Sequence, residues 1–222
     1  MYSRWVESRW KKKLGAPYVH LVFGARQTGK STLLRKLLPE AAVWLDFSRP
    51  AERVEYLRNP DLLVQRCRAL PKSRRPATVV VDEAQNVPAI FDAVQHLYDS
   101  DKRRWRFVLC GSSARKLRVT GANLLPGRSL LHHLYPLLLA ERPPAEAGRR
   151  RTETLLPMPT PGRVDERWFP ATDLFERLTF GELPGVAIAA RAQRADLLRT
   201  YTLVYLEEEL RREALVKNWP AF

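Results

Sequence analysis

A run of nine residues near the amino end of the chain has the types and spacing of a loop that binds phosphate. Two glycines, a lysine and a serine stand at the fixed positions of the pattern GxxxxGK[ST]. The glycines allow backbone angles that turn successive N–H groups inward, and the N-terminus of a following helix favours an anion. We expect Lys30 to contact the β- and γ-phosphates of a nucleotide and the Ser31 hydroxyl to be a ligand of Mg²⁺. The expected nucleotide-binding residues are Gly24, Ala25, Arg26, Gln27, Thr28, Gly29, Lys30, Ser31 and Thr32.

An acidic pair, Asp82 and Glu83, follows an apolar run about 50 residues after this loop. The run is apolar on both faces, which predicts a strand buried inside a parallel sheet. Such sheets bind ligands at the carboxyl ends of their strands. We therefore expect Asp82 to be a second ligand of the Mg²⁺ and Glu83 to act as the general base that polarises the attacking water.

Two further positions are weaker candidates for catalysis. Ser112 follows the fourth predicted strand, where its hydroxyl would orient the water or sense the γ-phosphate. The alternative is that Ser112 or Ser113 only caps a helix that begins at Ala114. Arg128 precedes the fifth predicted strand and could act in trans as an arginine finger that stabilises charge on the transferring phosphoryl group, although other arginines have a similar claim.

Apolar or β-branched runs alternate with helical patterns, an order typical of a parallel sheet with helices on both faces. The expected strands are residues 18–23, 42–47, 77–82, 106–110 and 130–135. The expected helices are residues 30–38, 52–70 with a break at Asn59-Pro60, 88–98, 172–180 and 193–214. The sequence therefore predicts an α/β fold, a three-layer α/β/α P-loop NTPase domain with a mainly parallel five-stranded sheet, followed by a small helical subdomain.

Changes in composition divide the chain into four predicted regions. Residues 1–16 carry apolar side chains at helical spacing, and residues 17–141 hold the alternating strands and helices. Residues 142–171 are rich in proline and arginine, which indicates a linker or insertion. Residues 172–222 recover helical periodicity, and we expect them to form a helical subdomain that begins a truncated C-terminal region.

Length and composition exclude several classes of protein. With 222 residues, of which 45% are hydrophobic and 28% charged, the chain is neither a disulfide-stapled module nor a disordered one. Cys67 and Cys110 lie far apart and outside any metal-binding spacing, which favours a reducing cytoplasm. The longest apolar stretch is too short to span a bilayer, and no membrane association is expected. His20, His132 and His133 lack partners at metal spacing and are expected to pack or to lie at the surface.

The net charge of +14 is the one extreme of the composition. It fits a surface that binds nucleic acid or an acidic protein. It also fits an arginine-rich genome, because arginine is spread over almost every segment. Both interpretations stay open, and the cations concentrate in residues 66–75, 102–106 and 149–151.

Six motifs in this order resemble the bacterial and archaeal AAA-type P-loop ATPases that carry a C-terminal domain of unknown function. They are GARQTGKSTLL at 24–34, VVVDEAQNVP at 79–88, CGSSARKL at 110–117, GANLLPGRSLLHHLYPL at 121–137, FGELPGV at 180–186 and YTLVYLEEELRREALVKN at 201–218. The resemblance implies an ATP site in which the loop and the acidic pair have the roles given above. It also implies that Ser112 is a sensor-like residue and that Arg128 is the arginine of the GR element.

The chain departs from this family in three places. Glu182 stands where the family more often has a second glycine in the motif FGELPGV, and residues 142–162 are longer and more basic than expected. Family members usually continue for a comparable length past a segment like residues 201–222. We therefore expect this chain to lack most of the C-terminal domain.

Two hypotheses about function follow. The first is an Mg²⁺-dependent ATPase, working as a homo-oligomer, that hydrolyses ATP to ADP and phosphate as a conformational switch for an effector domain missing here. The second is a non-catalytic, nucleotide-dependent module whose basic surface grips nucleic acid or an acidic protein. A small-molecule kinase is disfavoured because the sequence shows no separate motif for an acceptor.

Overall fold

A five-stranded parallel sheet forms the centre of the computed structural model, which describes residues 2–112, 124–138, 141–142 and 171–206. The strand order is β2-β3-β4-β1-β5. The strands are β1 (Val19–Phe23), β2 (Val43–Asp46), β3 (Ala77–Asp82), β4 (Trp105–Gly111) and β5 (Ser129–His133). The predicted α/β fold with a mainly parallel five-stranded sheet is therefore confirmed.

Five helices connect or precede these strands. They are α1 (Glu7–Lys13), α2 (Lys30–Leu37), α3 (Pro50–Arg58), α4 (Leu62–Arg68) and α5 (Ile90–Ser100), and a 3-10 turn covers Ala84–Asn86. The predicted break at Asn59-Pro60 separates α3 from α4. Proline lacks an N–H group and disfavours a helical conformation in the residue before it, so Asn59 adopts φ −144° and ψ 88° and ends α3.

Helices cover both faces of the sheet, because alternate residues of each buried strand point to opposite sides. Val80 and Val108 pack on one face with Trp10 of α1 and Leu33 of α2. On the other face, alternate strand residues pack with side chains of α3, α4 and α5. The largest of these fully buried side chains are Phe47, Leu45, Leu63, Ile90, Phe91, Leu97, Trp105, Phe107 and Leu109. This arrangement is the predicted three-layer α/β/α sandwich.

Two buried histidines join β1 to the edge strand β5. His20 Nδ1 lies 3.0 Å from His132 Nε2, and His20 Nε2 lies 3.0 Å from the Ala16 carbonyl oxygen. A carbonyl can only accept, so His20 carries its proton on Nε2 and His132 donates to His20 Nδ1. Burial lowers the pKa of both rings, that of His132 to about 4, and both are therefore neutral at neutral pH.

The chain divides into two compact units, Val6–Tyr135 and Met1–Trp5 with Pro136–Phe222. The second unit contains α6 (Ala171–Phe180), α7 (Pro184–Ile188), α8 (Arg191–Thr200) and a π-helix (Tyr201–Leu206). The predicted helix at residues 172–180 agrees with α6. The one predicted at residues 193–214 agrees with α8 and then the π-helix as far as residue 206, and its remainder lies outside the described residues. The predicted linker at residues 142–171 also lies almost wholly outside them.

Ion pairs stabilise the second unit. Glu182, the departure from the family pattern, lies 3.6 Å from Arg142 Nη1 and 3.4 Å from Arg177 Nη1. Glu141 is buried and pairs at 3.0 Å with Arg4 Nε. Two arginines thus compensate a carboxylate at the position where a glycine is usual. None of the helices in the described part of the chain has the length and apolarity to cross a bilayer.

Candidate functional site

The carboxyl ends of three neighbouring strands bring the predicted site residues to one edge of the sheet. Strand β4 lies between β1 and β3, with Phe23 opposite Gly111 and Val81 opposite Leu109. The glycine-rich loop continues from β1, Asp82 ends β3, and Ser112 follows β4. The topology therefore explains why motifs far apart in the sequence meet at this edge.

The loop before α2 has the backbone conformation that binding phosphate requires. Gln27 has φ 62° and Gly29 has φ 87°, both in the left-handed region. Left-handed residues beside right-handed ones turn successive N–H groups to the same side and form a concave anion site. The Thr28 hydroxyl donates to the Ala25 carbonyl oxygen at 2.8 Å and holds the loop in this shape.

Lys30 is the first residue of α2 and is only 5% exposed. Its ammonium donates to the carbonyl oxygens of Gly24 at 2.8 Å and Ala25 at 2.9 Å. These two bonds use two of its three N–H donors and fix the charge inside the loop. A buried cation held at the rim of a concave set of N–H groups is suited to bind an anion.

Gly24 begins the loop at a point where the backbone of the neighbouring strand comes close. The Leu134 N–H donates to the Phe23 carbonyl oxygen at 2.8 Å. A Cβ atom at position 24 would lie 2.2 Å from the Leu134 carbonyl oxygen. Glycine is therefore required here by the packing of the chain past β5 against the end of β1.

The acidic pair lies where β3 ends. Asp82 is buried, and its Oδ1 accepts the N–H of Glu83 at 3.1 Å. Glu83 has φ 52°, a left-handed conformation that costs about 1 kcal/mol or more in a non-glycine residue. Cys110 lies beside them, and burial together with the negative charge of Asp82 raises the pKa of its thiol well above the ordinary value. The thiol is therefore protonated, and Asp82 and Glu83 are the acidic groups of this site.

Gln85 is a site residue that the sequence analysis missed. It is buried, and its Nε2 donates to the Glu83 carboxylate and to the Ser112 hydroxyl oxygen, the latter at 3.3 Å. Its Oε1 occupies the space in front of Gly111, where a Cβ atom would lie 2.5 Å away. The one signal in the sequence was an amide two residues after Glu83, between Ala84 and Asn86. Gln85 connects the predicted base to the predicted sensor.

Arg128 lies at the opposite side of the sheet, where the strands begin. It precedes β5, whose first residue Ser129 is opposite Val19, the first residue of β1. Five residues of β1, at about 3.3 Å each, therefore separate it from the loop by roughly 15 Å. Its guanidinium Nε donates to Asp99 Oδ1 at 2.6 Å. The structure brings Ser112 to the loop and the acidic pair, and it does not bring Arg128 there; the catalytic roles of both stay predictions.

The residues present fit a magnesium nucleotide. The Ser31 hydroxyl and the Asp82 carboxylate are hard oxygen donors, and Mg²⁺ in nucleotide sites is usually held by one or two such groups together with phosphate oxygens. The left-handed loop and Lys30 supply the donors that phosphate oxygens need. In the described ranges, no group of three or more His, Cys, Asp or Glu side chains is arranged to hold a metal ion by itself.

Solved structures of two other proteins resemble this chain. The chain is similar to the Pif1 helicase from Candida albicans, with 13% identity and a TM-score of 0.39 over 64% of this chain and 41% of that one. It is also similar to PCH-2 from C. elegans, with 15% identity and a TM-score of 0.35 over 62% and 41%. The chain thus spans about two-fifths of the length of these proteins.

No curated protein matches the chain. A family described as "AAA domain" matches residues 16–142, which is more than half of the sequence and includes the loop, the acidic pair and all five strands. The chain therefore belongs to the AAA domain family of P-loop NTPases.

Proposed function

We propose that the chain is an Mg²⁺-dependent ATPase that hydrolyses ATP to ADP and phosphate. The observation that carries this proposal is the left-handed loop with its buried Lys30, separated by one strand from the acidic pair Asp82 and Glu83. A loop alone would support binding. A carboxylate directly after the metal-binding aspartate adds a base for water, and this addition favours hydrolysis.

Each residue of the site has a distinct task. The loop N–H groups and Lys30 bind the phosphates, and Ser31 and Asp82 hold the Mg²⁺, which when bound offsets the charge of the phosphate oxygens. Glu83 accepts a proton from the attacking water. Ser112 contacts the γ-phosphate, and Gln85 transmits that contact to Glu83 through its two hydrogen bonds. We further propose that this link lets the presence of the γ-phosphate change the conformation of the chain, which would thereby act as a switch for an effector domain. The compartment that we propose is a reducing cytoplasm.

Binding of nucleotide is tested by calorimetry with ATP and with ADP, each with and without Mg²⁺. We expect both nucleotides to bind, and ATP to bind more tightly with Mg²⁺ than without it. Failure of the folded chain to bind either nucleotide in the presence of Mg²⁺ would refute the proposal. Binding without any release of phosphate would favour the second hypothesis, a nucleotide-dependent binding module.

Removal of the Gln85 amide should slow hydrolysis through Glu83. We expect Gln85→Ala to lower kcat between about 10-fold and 100-fold and to change KM for ATP by less than about twofold, because Gln85 positions the base and does not touch the nucleotide. Gln65→Ala removes the same amide from an exposed position on α4 and is the matched control. Steady-state phosphate release measures both.

A merely structural role for Gln85 predicts a different pattern. It would lower the melting temperature and change KM and kcat together. Gln85→Glu keeps the length of the side chain and offers a second comparison. It places a second carboxylate beside Glu83, which should raise the pKa of the base that appears in the pH profile of kcat. An unchanged profile in this variant would contradict the link.

Arg128 is proposed to complete the site of a second copy of the chain, because it lies roughly 15 Å from its own loop. A mixture of two inactive variants, Arg128→Ala and Lys30→Ala, tests this. We expect the mixture to regain phosphate release, since an intact loop from the first variant meets an intact arginine from the second. Full activity of Arg128→Ala by itself would exclude a catalytic role in either copy.

A further inference from the structure

Two cationic loops lie side by side where the strands of the sheet begin, at the opposite ends of the strands from the phosphate loop. They precede the neighbouring strands β3 and β4, which pair with Ala77 opposite Trp105. Residues 66–75 and 102–106, two of the clusters found in the sequence, thus meet in space. We call the exposed cations of these loops the basic edge: Lys72, Arg74, Arg75, Lys102 and Arg103.

Hydrogen bonds hold the two loops together against the repulsion of their charges. Arg104 Nη2 donates to the Leu70 carbonyl oxygen at 3.0 Å, and the Ala77 N–H donates to the Arg104 carbonyl oxygen at 2.8 Å. The Arg104 guanidinium also lies over the Trp105 ring, 4.5 Å from its centroid. The spacing of the basic edge is therefore fixed by the fold before any partner arrives.

The arginines near this edge divide into two groups. Arg66 is bonded to Tyr56 and Arg106 to Thr78, and these charges serve the fold, while Arg128 is paired with Asp99. The five side chains of the basic edge are exposed, and no ion pair within the described residues neutralises them. Asp101, the acidic residue of these loops, accepts the N–H groups of Arg103 and Arg104, both at 3.1 Å.

We propose that the basic edge binds the phosphate backbone of a nucleic acid. Neighbouring strands lie about 4.8 Å apart, so the loops that precede them present their cations on one continuous surface, and a nucleic acid strand carries a phosphate about every 3.4 Å along its axis. Three of the five cations are arginines, whose planar guanidinium groups can bind phosphate through two hydrogen bonds.

The composition of the loops disfavours two other anionic partners. Residues 71–76 read PKSRRP and residues 101–104 read DKRR, and they contain no large apolar side chain. A protein interface needs an apolar centre, and a membrane-surface contact needs apolar side chains that insert between lipids. A phosphate backbone needs neither. Because the proposed contacts are made with phosphates and not with bases, we expect binding that does not depend on nucleotide sequence.

Fluorescence anisotropy tests the proposal. The probes are a labelled DNA duplex of about 20 base pairs and its single strand, and no ATP or ADP is added. The variant is Arg74→Gln/Arg75→Gln/Arg103→Gln. The matched control, Arg58→Gln/Arg191→Gln/Arg199→Gln, removes the same number of exposed charges elsewhere. Three phosphate contacts would weaken duplex binding about 40-fold between 50 and 200 mM salt, since log K falls with a slope of about −0.9 per contact. We expect the parent and the control to show this weakening of about 40-fold, and we expect the variant to lack it.

Three results would overturn the proposal. The first is duplex binding by the parent that is too weak to measure at about 50 mM salt, and the second is equal duplex affinity and equal salt slope for the variant and the control. The third is a variant that binds the duplex as the parent does but loses affinity for poly-aspartate or for phosphatidylserine vesicles. Because Lys30 lies at the other edge, Lys30→Ala should bind the duplex as the parent does. Failure of the ATPase proposal is thereby distinguishable from failure of this one.

Discussion

Lys30→Ala is expected to weaken binding of ATP with Mg²⁺ by at least about 100-fold and to abolish measurable phosphate release. A hydrogen bond from an ammonium to a phosphate oxygen contributes about 1.5–3 kcal/mol, and Lys30 keeps one N–H donor for such a bond, to which the attraction of its buried charge for the phosphates adds. Its ammonium already lies within the loop, between 2.8 and 2.9 Å from two carbonyl oxygens. Calorimetry gives the change in Kd directly.

Lys36→Ala is the matched control for this variant. Lys36 belongs to the same helix, is exposed, and pairs with Glu7 at the surface. Its removal should leave nucleotide affinity within about twofold of the parent, since surface ion pairs contribute less than about 1 kcal/mol. Nucleotide binding by a folded Lys30→Ala protein at parental affinity would show that the loop does not bind phosphate.

Glu83→Gln should separate binding from chemistry. We expect kcat to fall between about 100-fold and 10,000-fold while the Kd for ATP stays within about threefold, because an amide cannot accept the proton from water and yet fills the same volume. Single-turnover phosphate release measures the chemical step. Glu55→Gln, at an exposed position on α3, makes the same chemical change away from the site and should be neutral.

The same pair of variants decides between the two hypotheses about function. A switch driven by hydrolysis requires that Glu83→Gln retain ATP and release little phosphate. If Glu83→Gln and Glu55→Gln released phosphate at the parental rate, Glu83 would not be the base. If no variant and no parent released phosphate, the nucleotide would be a ligand of a binding module.

The phosphate loop and the acidic pair were predictable because each is a local pattern with its own strand. Strand ends were less predictable, since pairing with a neighbour decides them. Strand β5 was expected to reach Tyr135, but it ends at His133, where its partner β1 ends at Phe23. Likewise β4 begins at Trp105, one residue early, because Trp105 pairs with Ala77 of β3.

Features that depend on the order of strands could not be derived from the sequence. Gln85 meets Ser112 only because β3 and β4 are neighbours, and the two residues are 27 positions apart. The distance of Arg128 from its own loop follows from the parallel pairing of β5 with β1. The basic edge has the same origin, since its two loops precede adjacent strands.

The close approach at Gly24 has an evolutionary consequence. Any descendant that keeps this sheet must keep glycine at that position, since a methyl group would collide with the backbone beyond β5 whether or not ATP is used. Selection on Lys30 is different, because its ammonium bonds to carbonyl oxygens of the loop itself, those of Gly24 and Ala25, and therefore serves the loop and not the sheet. In a homologue that no longer binds nucleotide, we expect the glycine to be retained after the lysine has been replaced. Replacement of the lysine would therefore mark the point at which nucleotide binding was lost.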